Sequence, residues 1–174
     1  NIDPTGYYSE RARDILRNRA PFSPPQEYDI SVDVSAERAE AEAWLRSTFA
    51  IASDVDLGSP GPLLGDGRLA RGTELWELGL YEEARKEFED LRASLQADPA
   101  NSYRLANYLL DLGMYRSAIL AARQVLDLAG MSNADTMAAP AYFNHIRFGA
   151  YYYDLILAAA QQYQFHPLFL LSVI

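Results

Sequence analysis

The chain has 174 residues, of which 49% are hydrophobic and 22% charged, so it can bury a core and is neither a disordered nor a coiled-coil sequence. Its 15 basic and 24 acidic residues give a net charge of −9, which argues against the basic face that nucleic-acid binding needs. It has no cysteine, which excludes disulfide scaffolds and thiolate metal sites, and no apolar run long enough to span a membrane.

Residues 1–67 are predicted to form N-terminal helices followed by a Gly/Pro-rich connector. Asp3 and Pro4 are typical of a helix start, and several prolines end this first helix. Ser35 is the predicted N-cap of a second helix. The connector, residues 53–67, contains the sequence Ser-Pro-Gly-Pro at its centre and is the predicted internal domain boundary.

A repeat with a period of 34 residues covers residues 68–130. Three residues recur in the same order at this interval: Gly79, Tyr81 and Ala84 correspond to Gly113, Tyr115 and Ala118. Thirty-four residues is the tetratricopeptide period, so we expect helix pairs over 68–78 and 81–97 and over 99–112 and 115–129. Each glycine should end the first helix of its pair in the left-handed conformation.

The second helix of the first pair carries an apolar stripe at spacings of three and four, formed by Tyr81, Ala84, Phe88, Leu91 and Leu95. Two positions depart from the tetratricopeptide pattern. Its early tryptophan is Arg68 in one unit and Ser102 in the other, and the aromatic residue Phe88 becomes Ala122. Two units do not bury a continuous core, so the flanking helices should complete it. The expected fold is all-α, an α-solenoid or superhelix of tetratricopeptide-like hairpins.

Residues 140–174 form the predicted C-terminal segment. An aromatic-rich loop that includes His145 leads into a helix, and a turn at Phe165, His166 and Pro167 starts the last helix. The last 33 residues resemble the entrance to the transglycosylase domain of the soluble lytic transglycosylases. In that family a helix is followed by an Asp-Pro-type helix start, a Leu-Leu-x-x-Ile stretch and a Glu-Ser pair.

The corresponding residues here are 151–156 and 161–165 for the first helix and 167–174 for the second, and His166 stands where the family usually has aspartate. The resemblance implies a superhelix followed by a lysozyme-like domain, of which this chain holds only the first helices. The catalytic glutamate, as general acid, is expected about three residues beyond Ile174. We therefore expect this chain to contain no catalytic residue and to be inactive alone.

By the same resemblance, the whole protein cleaves the β-1,4 bond between N-acetylmuramic acid and N-acetylglucosamine of peptidoglycan, with a 1,6-anhydro product. It would act in the periplasm or another extracytoplasmic space and would need no cofactor. The expected partner is the glycan strand, and the repeat surface offers a place for a protein partner. The alternative function is a tetratricopeptide-type interaction module without enzymatic activity, capped by the final helices.

The predicted substrate-contacting residues are Tyr142, Phe143, Tyr151 and Tyr152, because aromatic rings present flat faces to sugars. Packing between the repeats and the C-terminal helices is the other role open to these rings. Two histidines without cysteine make a poor metal site, so no metal is expected. Trp44 and Trp76 have apolar neighbours and are assigned to the core, and the acidic residues around the stripe to a solvated helix face.

Overall fold

The computed structural model describes residues 7–19 and 32–173, and within these ranges all regular structure is helical. The α-helices in chain order are α1 (Tyr7–Leu16), α2 (Val34–Phe49), α3 (Gly67–Glu77), α4 (Tyr81–Ser94), α5 (Pro99–Asp111), α6 (Tyr115–Leu128), α7 (Ala141–Arg147), α8 (Tyr153–Tyr163) and α9 (Pro167–Val173). Two short 3-10 helices span Gly61–Gly65 and Asp135–Ala138. The all-α prediction is confirmed, whereas the predicted helix start at Asp3 and Pro4 lies outside the described residues.

The chain divides into two compact units. One comprises residues 32–151 and contains α2 to α7, and the other comprises residues 1–31 and 152–174. The connector at 53–67 lies inside the first unit, where Leu57 and Leu63 are buried and the first 3-10 helix packs against α3 and α5. In the second unit, α8 and α9 pack against each other. None of the described helices is both long enough and apolar enough to cross a membrane.

Two helix hairpins, α3–α4 and α5–α6, share the same turn 34 residues apart. Gly79 has φ 77° and Gly113 has φ 84°, which confirms the predicted left-handed helix ends. In both turns the glycine N–H and the next N–H donate to carbonyls of the preceding helix, at 3.0 and 2.9 Å. The helix pairs follow the predicted bounds to within a few residues.

Two local predictions were wrong. The N-cap of α2 is Asp33 rather than Ser35, because the Asp33 carboxylate accepts the Ala36 N–H at 3.0 Å. In the apolar stripe of α4, Ala84, Phe88 and Leu91 are buried as predicted but Tyr81 is 57% exposed. Tyr81 is the first residue of its helix, and its ring packs against Trp76 with the centroids 4.6 Å apart.

The small residue Gly72 sets the distance between α3 and α4. A Cβ atom at Gly72 would lie 2.8 Å from the Phe88 ring, closer than real Cβ contacts allow. In the second hairpin the equivalent positions hold Ala106 and Ala122, both fully buried. A glycine and a phenylalanine thus give way to two alanines. The missing aromatic at position 122 therefore goes together with a larger residue on the facing helix.

One interhelix contact occurs twice, one repeat apart. The hydroxyls of Thr73 on α3 and Tyr108 on α5 are 2.6 Å apart. The Tyr142 hydroxyl on α7 donates to Asn107 Oδ1 on α5, also at 2.6 Å. Asn107 follows Thr73, and Tyr142 follows Tyr108, by 34 positions. α7 therefore meets α5 where α5 meets α3, which extends the 34-residue register beyond the two hairpins.

Helix α5 is the centre of the unit formed by residues 32–151. Every residue from 102 to 107 is buried, so no face of this stretch is open to solvent. α6, the first 3-10 helix and α2 pack around α5, and α2 also packs on α7. The buried Arg104 guanidinium donates to the Asp56 carbonyl at 3.1 Å and to Asn101 Oδ1 at 2.7 Å. The flanking segments thus complete the core, as the sequence predicted.

Candidate functional site

The predicted aromatic residues begin on α7, in a stretch that the sequence assigned to a loop. This assignment was wrong, since residues 141–147 form a helix that also carries His145. Tyr142 is 3% exposed and Phe143 fully buried. The Phe143 ring packs against Trp44 and Tyr103, with centroids 5.5 and 6.0 Å away. A sugar cannot stack on a ring without an exposed face, so in this conformation both side chains belong to the core.

The Tyr142 hydroxyl links three helices. It donates to Asn107 on α5 and accepts the Arg38 Nε–H of α2 at 2.8 Å. The Arg38 guanidinium lies 5.6 Å from the centroid of the Tyr142 ring and 3.8 Å from an Asp111 carboxylate oxygen. Burial raises the pKa of Tyr142, although the neighbouring Arg38 opposes this shift. The hydroxyl therefore stays protonated and serves as a structural donor.

Tyr151 is half-buried on the same unit and stacks on Tyr115, with centroids 4.1 Å apart and an interplanar angle of 16°. Its hydroxyl donates to the Ile146 carbonyl at 2.8 Å, and burial raises its pKa to about 12. A Cβ at Gly149 would lie 2.6 Å from the His145 carbonyl and 2.7 Å from the Tyr151 ring. Glycine at this position therefore allows the chain to bend back after α7 and place the ring.

Tyr152 belongs to the other unit and precedes α8. Its φ is 59°, a left-handed value uncommon for a tyrosine, and its side chain is 58% exposed. The four predicted aromatic residues thus have three different environments, and only Tyr151 and Tyr152 expose part of their rings. The prediction of glycan contact now depends on these two.

The sequence analysis missed a group of cations and an aromatic ring at the C-terminal end of α7. The Arg147 guanidinium carbon lies 4.8 Å from the centroid of the Phe148 ring, which is 64% exposed. Arg123 on α6 pairs with Asp127 at 2.6 Å, and its charge, after burial itself, lowers the pKa of Arg147. The two arginines lie 24 positions apart on different helices outside the repeat register, so no sequence pattern predicts their proximity.

The carboxylates of α4 are explained by ion pairs. Glu82, Glu87 and Glu89 contact arginines, with the pairs Glu82–Arg85, Arg71–Glu87 and Glu89–Arg92 at 2.5, 2.8 and 2.9 Å. Within the described ranges, no group of three or more histidine, aspartate and glutamate side chains is arranged to hold a metal ion. His145 instead pairs with Glu37 on α2, with Nδ1 and Oε2 2.5 Å apart.

A shallow groove of about 410 Å³ lies between α4 and α6, along Arg92 and Gln124. These two side chains already bind each other, since Arg92 Nη1 donates to Gln124 Oε1 at 2.9 Å. Gln124 also donates to Ser102 on α5 at 3.0 Å. The groove therefore marks a polar contact that joins three helices, and its floor offers a ligand few unpaired groups.

Comparison of the chain with protein families, with curated proteins and with solved structures finds no match in any of the three.

Proposed function

We propose that this chain is the non-catalytic helical region of a peptidoglycan lytic transglycosylase-like protein, acting in the periplasm or another extracytoplasmic space. Its role is to hold the glycan strand and to carry the helices that lead into a lysozyme-like domain. The proposal rests on the sequence resemblance of residues 142–174. The observation that carries it furthest is the helix start at His166.

His166 was the one departure from the family pattern in this segment. Its ring Nδ1 accepts the Leu168 N–H of α9 at 3.2 Å. An aspartate N-cap would use its carboxylate oxygen for the same purpose. Pro167 is the first residue of α9, the position where proline is favoured because its missing N–H leaves no lost hydrogen bond. The substitution therefore keeps the local structure that the resemblance requires.

The repeat geometry supports a tetratricopeptide-like superhelix. Two hairpins with equal turns, and a third helix that meets α5 in the same register, are what stacked repeats of 34 residues require. A superhelix ahead of the catalytic domain is the order that the resemblance implies.

The carboxylates support a non-catalytic role for the described part of the chain. A general acid in glycoside cleavage needs a raised pKa. Hydrogen bonds from Ser59 and Ser132 lower the pKa of Asp56 and Asp135, respectively, and hydrogen bonds from Arg68 lower that of Asp66 to about 2. These shifts are opposite to those of an acid catalyst.

The alternative, a peptide-binding repeat module, needs an open repeat face. Here α2 and the first 3-10 helix cover α5, and α2 also covers part of α7. Ala41 and Leu45 of α2 are fully buried, so this cover is part of the core. A peptide would have to displace it, which favours the glycan-holding role.

The proposal is tested by binding to purified peptidoglycan sacculi. The chain should cosediment with sacculi and be displaced by soluble muropeptides, without releasing anhydro products. Cellulose of equal mass, which carries neither acetamido nor lactyl groups, is the control polymer. Equal sedimentation with both polymers would contradict the proposal.

A further inference from the structure

The Arg147 guanidinium lacks an acceptor among the described residues. It forms no hydrogen bond or ion pair there, and its Nη1 atom is buried without a partner. The Arg123 Nη1 atom is likewise buried without an acceptor, although the rest of that guanidinium binds Asp127 and the Met131 carbonyl. Buried cations without partners are costly and rare, so such a pair indicates a missing anion.

The same end of α7 also lacks a donor. Asn144 Oδ1 is buried without a partner, and Asn144 lies one helical turn before Arg147, on the same face. Beside these groups the Phe148 ring is 64% exposed, with Arg147 4.8 Å from its centroid. The site thus combines two cations, an unused acceptor and an apolar ring.

We propose that Arg123, Arg147, Asn144 and Phe148 bind a sugar that carries a carboxylate. The carboxylate accepts hydrogen bonds from the two guanidiniums, whose planar N–H groups match its geometry. A hydroxyl or acetamido N–H of the sugar donates to Asn144 Oδ1, and the sugar ring lies on Phe148. A bare inorganic anion would satisfy the arginines but would leave the asparagine oxygen and the aromatic ring unused.

This inference rests on the proposed function, because it assigns the carboxylate of N-acetylmuramic acid to this site. In that sugar a lactyl ether carries a carboxylate, which N-acetylglucosamine lacks. Two of the three charged groups here are cations, in a chain whose net charge is −9. The preference for an anion is therefore local and does not come from the overall field of the protein.

The test is an NMR titration of the isotope-labelled chain with N-acetylmuramic acid and, separately, with N-acetylglucosamine. The side-chain Nε–H signals of Arg123 and Arg147 should shift with the first sugar. The dissociation constant for N-acetylmuramic acid should be at least about 10-fold lower, as expected for gaining hydrogen bonds to charged groups. Arg147→Gln should remove this preference. Arg147→Lys keeps the charge without the planar geometry and should weaken binding less.

The matched control is Arg116→Gln, which removes one charge from an exposed arginine of α6 and should leave both affinities unchanged. Equal affinity for the two sugars would overturn the carboxylate site while leaving glycan binding in place. Acetate binding as tightly as the sugar acid would overturn the assignment to a saccharide. Failure to bind the sugars, together with failure to bind sacculi, would instead contradict the proposed function itself.

Discussion

At the scale of single residues, the packing of Phe88 against Gly72 fixes the first hairpin. Phe88 is fully buried in the middle of α4, and its ring occupies the space where a side chain on α3 would lie. The sequence predicted that Phe88 is buried, from the stripe on its helix. It also matched Gly72 with Ala106, but it did not indicate that glycine is needed because the ring lies against it.

Replacing Phe88 with alanine should cost about 3–5 kcal/mol of unfolding free energy, because it removes a buried ring and leaves a cavity. The measurement is the denaturant midpoint followed by circular dichroism. Leu78→Ala is the control, since Leu78 is 74% exposed and should change stability by less than about 0.5 kcal/mol. A loss below about 1 kcal/mol for Phe88→Ala would contradict the described packing.

The Gly72→Ala substitution should change sign with its neighbour. In the natural sequence the new Cβ meets the Phe88 ring, and overpacking of this kind costs about 1–3 kcal/mol. In the Phe88→Ala background the clash is gone, and the higher helix propensity of alanine should stabilise the chain by up to about 1 kcal/mol. A double-mutant cycle measures this coupling, and additive effects of the two changes would refute it.

At the scale of elements, α2 is held on the repeat helices by the hydroxyl of one buried tyrosine as well as by apolar contacts. Tyr142→Phe removes the group that binds both Arg38 and Asn107 and leaves their polar atoms unsatisfied. The expected loss is about 1–3 kcal/mol in thermal or denaturant unfolding. Tyr81→Phe, at an exposed ring, is the matched control. Equal effects of the two changes would show that the network does not hold α2.

The start of α3 should make stability depend on pH. The Asp66 carboxylate accepts hydrogen bonds from the Arg68 side chain and backbone, which lower its pKa to about 2. A lowered folded-state pKa contributes stability above the unfolded-state value of about 3.9, and this contribution is lost as the pH falls towards 2. Asp66→Asn keeps an N-cap without the charge. The stability difference between the two proteins should be constant near neutral pH and shrink between about pH 4 and 2.

At the scale of the whole molecule, the repeat could be predicted from the sequence because each of its parts has a local cause. Glycine turns, a proline after Asp98 and stripes at helical spacing all act within a few residues. The burial of Tyr142 and Phe143 could not be predicted, since it depends on α2, which is about 100 residues away in sequence. The same holds for Arg123 and Arg147, which only the packing of α6 and α7 brings together.

Cosedimentation with purified sacculi, followed by analysis of the soluble products, tests the central claim most directly. We predict that the chain is retained by sacculi and that no anhydromuropeptides are released, because the described carboxylates with shifted pKa values are all more acidic than usual. The contradicting result would be no retention beyond that on cellulose, or the release of anhydro products by this chain alone.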